Sequence, residues 1–387
     1  MNRPLLAAIS LTAALSSLAT AQDARTRDSA GVRIIENPAR KDAPVRFRLG
    51  DTPLLEVGGS LESNPGDQFD HSQGYLRGVR LSDGGLAVID VSRVQYFDRS
   101  GKRTLIVGNK RPQPGPFYYL TSVCRTNGDT LVLNDSHDES ITVLDRNGTV
   151  LRTFFQKDNG NAPFSFCFDD GSFVLERAVG EIMNGQRGIT RLRVDGSIVN
   201  PVGTFQAPPF DMVTGVTLTV VASGDGLYTG NPFTGEIREH DALGRLRRII
   251  RTADQGDSVT AAEAEERMAR TIPNNVVGAD RTNRMEMMRA RPYSPRWPVM
   301  MDYLVGPDRT IWVRDFKKVH PSPDAWTAID STGKIVGRLE FPSTAERTFP
   351  LQVISFGRDD VMVRRFDANR ATYLTIYPLM KNDGRSR

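Results

Sequence analysis

Apolar positions along the chain fall in short runs, many alternating with polar ones, and glycine-bearing turns separate the runs. "LAVID" from Leu86, "VQYF" from Val94 and "TLIV" from Thr104 are followed one period later by "TLVLND", "ITVL" and "LRTFF". Short runs rich in β-branched and aromatic residues, with period-two alternation, predict β-strands. The turns carry the repeat. "FDRSG", "LDRNG", "VDG", "HDALG" and "IDSTG" end on Gly101, Gly148, Gly196, Gly244 and Gly333, spaced 47, 48, 48 and 89 residues apart. A second series runs out of phase with the first: "SDGG" from Ser82, "NGD" from Asn127, "DDG" from Asp169, "SGDG" from Ser223, "PDR" from Pro307 and "GRDD" from Gly357. Aspartate bonds nearby backbone amides and glycine accepts positive φ, so both suit tight reversals.

The pattern predicts six units of four short antiparallel strands, labelled A to D within a unit, and that arithmetic is that of a propeller blade. The fold class is therefore all-β, a six-bladed β-propeller spanning 45–380. The sixth unit supplies three strands, near Leu351, Val361 and Tyr373, and "PLLEV" at Pro53–Val57 is expected to complete it, removing exposed sheet edges. "VRIIE" and "VRFRL", on either side of the end of a 22–44 N-terminal segment, would add an outer strand or pack against the side. Residues 381–387 are expected to be a disordered tail.

The 89-residue interval holds an insertion at about 252–298, between blades 4 and 5. Thr260 and Glu263 form a capping-box pattern, and Glu263/Arg267 and Glu266/Arg270 stand at helical i,i+4 spacing. A second helix is expected near Asp280, with Met285 and Met288 on one side. The pair would either form a lid over the channel mouth or shield a blade edge.

Residues 1–21 read as a Sec-type signal peptide. Arg3 is followed by an apolar stretch from Leu5 to Leu18 and an Ala19-Thr20-Ala21 cleavage site. That stretch is too short to span a bilayer, and no second one is long enough. The expectation is an exported, periplasmic or extracellular monomer. The formal charge of +4 is too small to argue for nucleic acid. Cys124 and Cys167 are the only cysteines, on A strands of adjacent blades, and one disulfide between them is open, depending on register.

The run "RGVRLSDGGLAVIDVSRVQYFDRSGKRTLIVG", followed by a connector ending in Phe117, resembles the NHL-type six-bladed propellers, and above all the secreted bacterial six-bladed propeller proteins. "IWVRDF" and "WTAIDSTGKIVGRLEFP" fit the same pattern. The resemblance covers roughly residues 50 to 380 and specifies fold rather than activity.

Topology places the short A–B and C–D turns on one face and the long B–C and D–A connectors on the other, where a site is expected. B strands end in acceptors, Asp90, Asp135, Glu176, Asn231 and Asp315, which either face a ligand or cap their own turns. His137 and the carboxylates beside it would offer oxygen ligands to a divalent cation such as calcium, or form a solvated loop; no other cofactor is expected. His71 and His320 lie on the same face, and His240 on the opposite one. The basic residues Lys110, Arg111, Arg177, Arg296, Arg314, Lys317, Lys318 and Arg365, with Trp297, Tyr118 and Tyr119, would suit an anionic or sugar-like partner or form a solvated rim. Nucleophile elbows and P-loops are absent. The favoured function is binding of a protein, peptide or glycan. The alternative is a metal-dependent enzyme resembling six-bladed lactonases or lyases, with its site at the channel mouth.

Overall fold

The computed structural model describes residues 24–59, 69, 76–109, 115–155, 165–178, 186–206, 219–291, 293–318, 324–341, 351–367 and 371–382. The segment expected to be a signal peptide lies outside them. The chain opens with β1 (Arg25–Ser29), β2 (Val32–Asn37), β3 (Val45–Leu49) and β4 (Leu55–Gly58). Five antiparallel meanders follow. The first is β5 (Arg77–Arg80), β6 (Leu86–Asp90), β7 (Arg93–Phe97) and β8 (Arg103–Gly108). The second is β9 (Leu120–Arg125), β10 (Leu131–Asp135), β11 (Ser140–Leu144) and β12 (Val150–Phe155). The third is β13 (Ser165–Cys167), β14 (Phe173–Ala178), β15 (Gln186–Leu192) and β16 (Ile198–Gln206). The fourth is β17 (Thr219–Ser223), β18 (Gly226–Asn231), β19 (Glu236–Asp241) and β20 (Leu246–Thr252). Two helices intervene, α1 (Ala261–Thr271) and α2 (Gly278–Arg289). The fifth meander is β21 (Met300–Val305), β22 (Ile311–Asp315), β23 (Ala325–Ile329) and β24 (Ile335–Glu340). Last come β25 (Gln352–Phe356), β26 (Asp360–Phe366) and β27 (Thr372–Lys381). The outer edge of β27 is paired antiparallel by β4, with Leu55 opposite Ile376. This is the strand that the sequence places at Pro53–Val57. Mostly β, and built of four-stranded sheets, the chain has the architecture of a β-propeller.

Local chemistry explains the repeated turn. Asp98, Asp145, Asp241 and Asp330 each accept, on Oδ1, the amides two and four residues ahead. The glycine at the third step donates back to the aspartate carbonyl, at positive φ. A one-residue bulge on the outgoing strand, at Thr104, Leu151, Arg247 and Val336, follows each turn. In the third meander Arg193 takes the first position, and Asp195 accepts the Ser197 N–H instead.

These glycines also set the spacing between units. A Cβ on Gly244 would lie 2.2 Å from the Val202 carbonyl oxygen of β16, and one on Gly148 2.5 Å from Val107 Cγ2 of β8. One on Gly101 would lie 3.0 Å from the Glu56 carbonyl oxygen of β4. Each turn is seated on the outer strand of a neighbouring unit. Gly244→Ala is therefore expected to cost ~2–4 kcal/mol, combining left-handed backbone strain with the clash. Gly171 has the same backbone sign with open space around it, so Gly171→Ala should cost only ~1 kcal/mol. Urea denaturation of both variants measures the difference, and equal losses would mean that the Val202 contact is immaterial.

Buried apolar clusters sit between successive units. One joins β6, β7 and Leu81 to Leu120, Leu131 and Leu133 of the second meander. Another joins Trp312, Trp326 and Leu339 of the fifth to Val353, Val361 and Val363 of the sixth. A further cluster brings Leu55 and Val57 of β4, with Met362, Leu374 and Ile376, against Leu86, Val88 and Phe97 of the first meander. First and last units thus share a core.

The N-terminal segment acts as outer strands, one of the two alternatives the sequence leaves open. Strand β2 runs parallel to β20, with β1 outside it. Strand β3 lies between β24, parallel, and the end of β27, antiparallel. Strand β27 continues through Lys381, into the segment expected to be a tail.

Candidate functional site

Strands β5, β9, β13, β17, β21 and β25 line a central cavity of about 490 Å³, within the span usual for small-ligand sites. Among its lining residues are Arg77, Thr121, Phe166, Val221, Asp302 and Gln352. Arg77, Asp302 and Gln352 lie near the starts of β5, β21 and β25, on the side of the long connectors.

Asp302 is the acidic group of this wall. Its Oδ2 lies 3.7 Å from Arg314 Nη1. Arg314 Nη2 lies 3.3 Å from Asp324 Oδ2, and Lys317 Nζ lies 2.8 Å from Asp324 Oδ1. Two carboxylates and two cations thus alternate along β21, β22 and the connector to β23. The Asp302 side chain, on the cavity wall, keeps 42% of its surface, while its Oδ1 is buried with no hydrogen-bond partner. Enclosure by protein pushes the Asp302 carboxyl above the usual carboxylate range, Asp324 adds to the rise, and Arg314 opposes it. The Thr121 hydroxyl on the same cavity wall is likewise buried without a partner.

Beside β21, on the next sheet, Arg364 of β26 pairs with Gln352 of β25 in register. Its Nη2 donates to Gln352 Oε1 at 2.5 Å. Burial, and then the nearby Arg77 cation, push the Arg364 guanidinium down to about 10.

Most acceptors at B-strand ends are engaged internally. Asp90, 1% exposed, accepts from Arg93 and Gln95. Asp135 accepts the amides of Tyr118, Tyr119 and His137, fastening the incoming connector. Asn231 caps its own turn through the amides of Phe233 and Thr234. Asp315 binds Arg40 and Arg338. Glu176 is buried within β14; Arg177 lies in the same strand, and its side chain is outside the described residues.

The other expected residues are dispersed. Arg314 and Lys317 join the cavity network. Arg365 turns outward, binding Glu56 through Nε and Nη2 and lying over the Tyr373 ring. His137 is exposed, stacks on Tyr118 at 3.7 Å and contacts Asp138. His240 is buried against Phe205. Lys110, Arg111, His71 and His320 lie outside the described residues. Among the described residues, no three His, Cys, Asp or Glu side chains gather as metal ligands.

Trp297 is core to the insertion rather than a surface platform. It is 4% exposed, packs with Met268, Met285 and Met288, and stacks on Phe316. Thr260 and Glu263 form the expected capping box. Glu266 pairs with Arg270, whereas Glu263 pairs with Lys318 rather than with the expected Arg267. The Lys318 and Thr260 contacts pull the Glu263 carboxyl down to about 2. The described lining of the central cavity comes from strands, not from α1 or α2.

Cys124 of β9 and Cys167 of β13 form a disulfide, Cα to Cα 5.6 Å, on the cavity wall.

No protein-family model matches the chain, and no curated protein sequence matches it. Solved structures do. A candidate exported protein from Bacteroides fragilis is 12% identical with a TM-score of 0.53, covering 89% of this chain and 99% of that one. A member of the DUF4221 family from Bacteroides vulgatus is 11% identical with a TM-score of 0.54, covering 87% and 99%. Virginiamycin B lyase from Staphylococcus aureus aligns at 13% identity and a TM-score of 0.43, over 86% and 88%. The first two likenesses establish a shared fold. Among the described residues no helix is long and apolar enough to cross a membrane.

Proposed function

We propose that the mature chain is a closed six-bladed propeller, exported from the cytoplasm, that binds a peptide, protein or glycan partner at the mouth of its central cavity on the long-connector face. Closure is supported by the core shared between the first and last units and by the seating of Gly101 on β4. Such a scaffold holds side chains from six strands around one axis without needing a mobile loop to assemble them.

The observation that carries the binding reading is the unpartnered Asp302 Oδ1 on the wall of a ligand-sized cavity. A buried acceptor left without a donor is costly, and a ligand N–H or O–H supplies one. Asp90, Asp135 and Asn231, engaged as they are by their own turns and connectors, serve the frame in this reading.

The test is selection of a random-peptide display library and a glycan array on the mature protein, repeated on Asp302→Ala. Selected binders are expected to lose affinity by about tenfold or more on Asp302→Ala, the value of a charged hydrogen bond, with circular dichroism unchanged. Binders that hold the variant equally well, or a failure to enrich any, would reject the reading.

A further inference from the structure

A buried cation ordinarily has a carboxylate beside it, because a desolvated charge is stable only when paired and fully hydrogen-bonded. Arg364 departs from that rule. Its residue is 9% exposed. Its Nη2 is spent on a neutral amide oxygen, that of Gln352, and its guanidinium lies 5.4 Å from the Phe366 ring. Its Nε is buried with no hydrogen-bond partner. The charge acting on it is a second cation, Arg77, which with Gln352 lines the central cavity. Neither the amide nor the ring neutralises a guanidinium, so one positive charge and one donor are left uncompensated directly behind Gln352, a residue of the cavity wall.

We propose that Arg364, beside Arg77 and Gln352, is the seat for a single carboxylate group of the ligand. The inference deepens the binding reading above and rests on it. Charge arithmetic selects the ligand class. On the neighbouring inner strand β21 and the elements behind it, Asp302 and Asp324 balance Arg314 and Lys317, so that part of the wall contributes no surplus. Arg77 makes further interactions of its own. One uncompensated guanidinium remains, which a monovalent carboxylate neutralises. A phosphate dianion would bring a second negative charge toward Asp302. The planar guanidinium also matches a carboxylate better than a tetrahedral anion with its charge spread in three dimensions. Asp302, an acceptor, and Arg364, a donor, would then read two different groups of one ligand.

The test compares acids with neutral isosteres on the full mature chain: N-acetylleucine against its amide, and glucuronate against glucose, with inorganic phosphate as a third arm. Isothermal titration and thermal shift are the readouts. At least one acid is expected to bind about tenfold tighter than its isostere, and the preference should vanish in Arg364→Met. A preference carried by N-acetylleucine marks a peptide terminus as the source, and one carried by glucuronate marks an acidic glycan.

Arg364→Met without ligand should unfold at the same or higher temperature, since it removes a buried charge that has no partner. A guanidinium needed only for folding would give a lower temperature instead. Arg364→Lys keeps the charge without the fork and should retain part of the preference. The proposal is overturned if neither acid binds below about 10 mM, if acid and isostere bind alike, if phosphate outcompetes both acids, or if Arg364→Met keeps the preference. Neutral isosteres that bind equally well and depend on Asp302 would reject the carboxylate seat while leaving the cavity-mouth reading standing.

Discussion

Replacing Arg40 by alanine is expected to lower the unfolding free energy by about 3–5 kcal/mol, the cost of removing one partner from a buried ion cluster. Arg40 lies on a single 3-10 turn between β2 and β3, and its side chain is 2% exposed. Its Nη2 donates to the Val299 carbonyl at 2.5 Å, its Nε reaches Asp315 at 3.3 Å, and its Nη1 lies 3.4 Å from Asp254. One side chain thus ties the N-terminal segment to the segment after β20 and to the end of β22. Without it, Asp254 loses its cation and Asp315 keeps only Arg338.

Burial holds the Asp315 carboxyl above its usual range, with Arg40 and Arg338 opposing the rise. Loss of Arg40 raises it further, so the folded variant takes up a proton more readily than its unfolded chain. The deficit should therefore be widest at neutral pH and narrow as pH falls through the carboxylate range. Urea denaturation at neutral and mildly acidic pH measures both effects. A loss below ~1 kcal/mol at neutral pH would mean that water replaces Arg40 without penalty.

What the sequence made legible follows from the range of the interactions. The Asp–Gly turns are set by bonds spanning four residues, so Asp98, Asp145, Asp241 and Asp330 announce them locally. Strand facing is harder to read, because alternation makes one residue of register decisive. Arg365 carries the cue of an unusual basic residue at a B-strand end, yet it points outward to Glu56; its neighbour Arg364, of opposite parity, faces Gln352 at the cavity. Asp302 was hidden in a similar way. A register shift between Met300 and Asp302 makes its orientation unreadable by counting, and the only signal in the chain is a charge within an apolar inner strand. Trp297 looked like a surface platform because its packing partners, Met268 and Met285, come from helices whose docking no local pattern specifies. The pairing of β2 with β20 joins segments more than two hundred residues apart, so only the complete fold defines it.

Reduction of the Cys124–Cys167 bridge is expected to remove about 4 kcal/mol of stability, the chain-entropy value for a loop of 43 residues. The two cysteines sit on neighbouring inner strands, β9 and β13, and β13 is only three residues long. Strand β13 makes three register pairs with β14, so few backbone contacts fix its position. The bridge supplies a covalent one, at the point where the second and third units meet on the cavity wall. Registers that pair Cys124 with Val132 and Cys167 with Phe173 bring the two side chains together. That coincidence between separate units is why spacing along the chain left the pairing open.

Urea midpoints of the wild type with and without reductant, and of Cys124→Ser/Cys167→Ser, measure the contribution. The reduced protein and the double variant should agree, and both should show a steeper denaturant dependence, because the uncrosslinked unfolded chain exposes more surface. Strand β13 packs against β9 and β17, and β17 against β21, so loosening β13 should also weaken ligands bound through Asp302, even though neither cysteine need touch them. Two free thiols in protein recovered from an oxidising compartment, or a midpoint indifferent to reductant, would remove the bridge from this account and leave the short β13 held by packing alone.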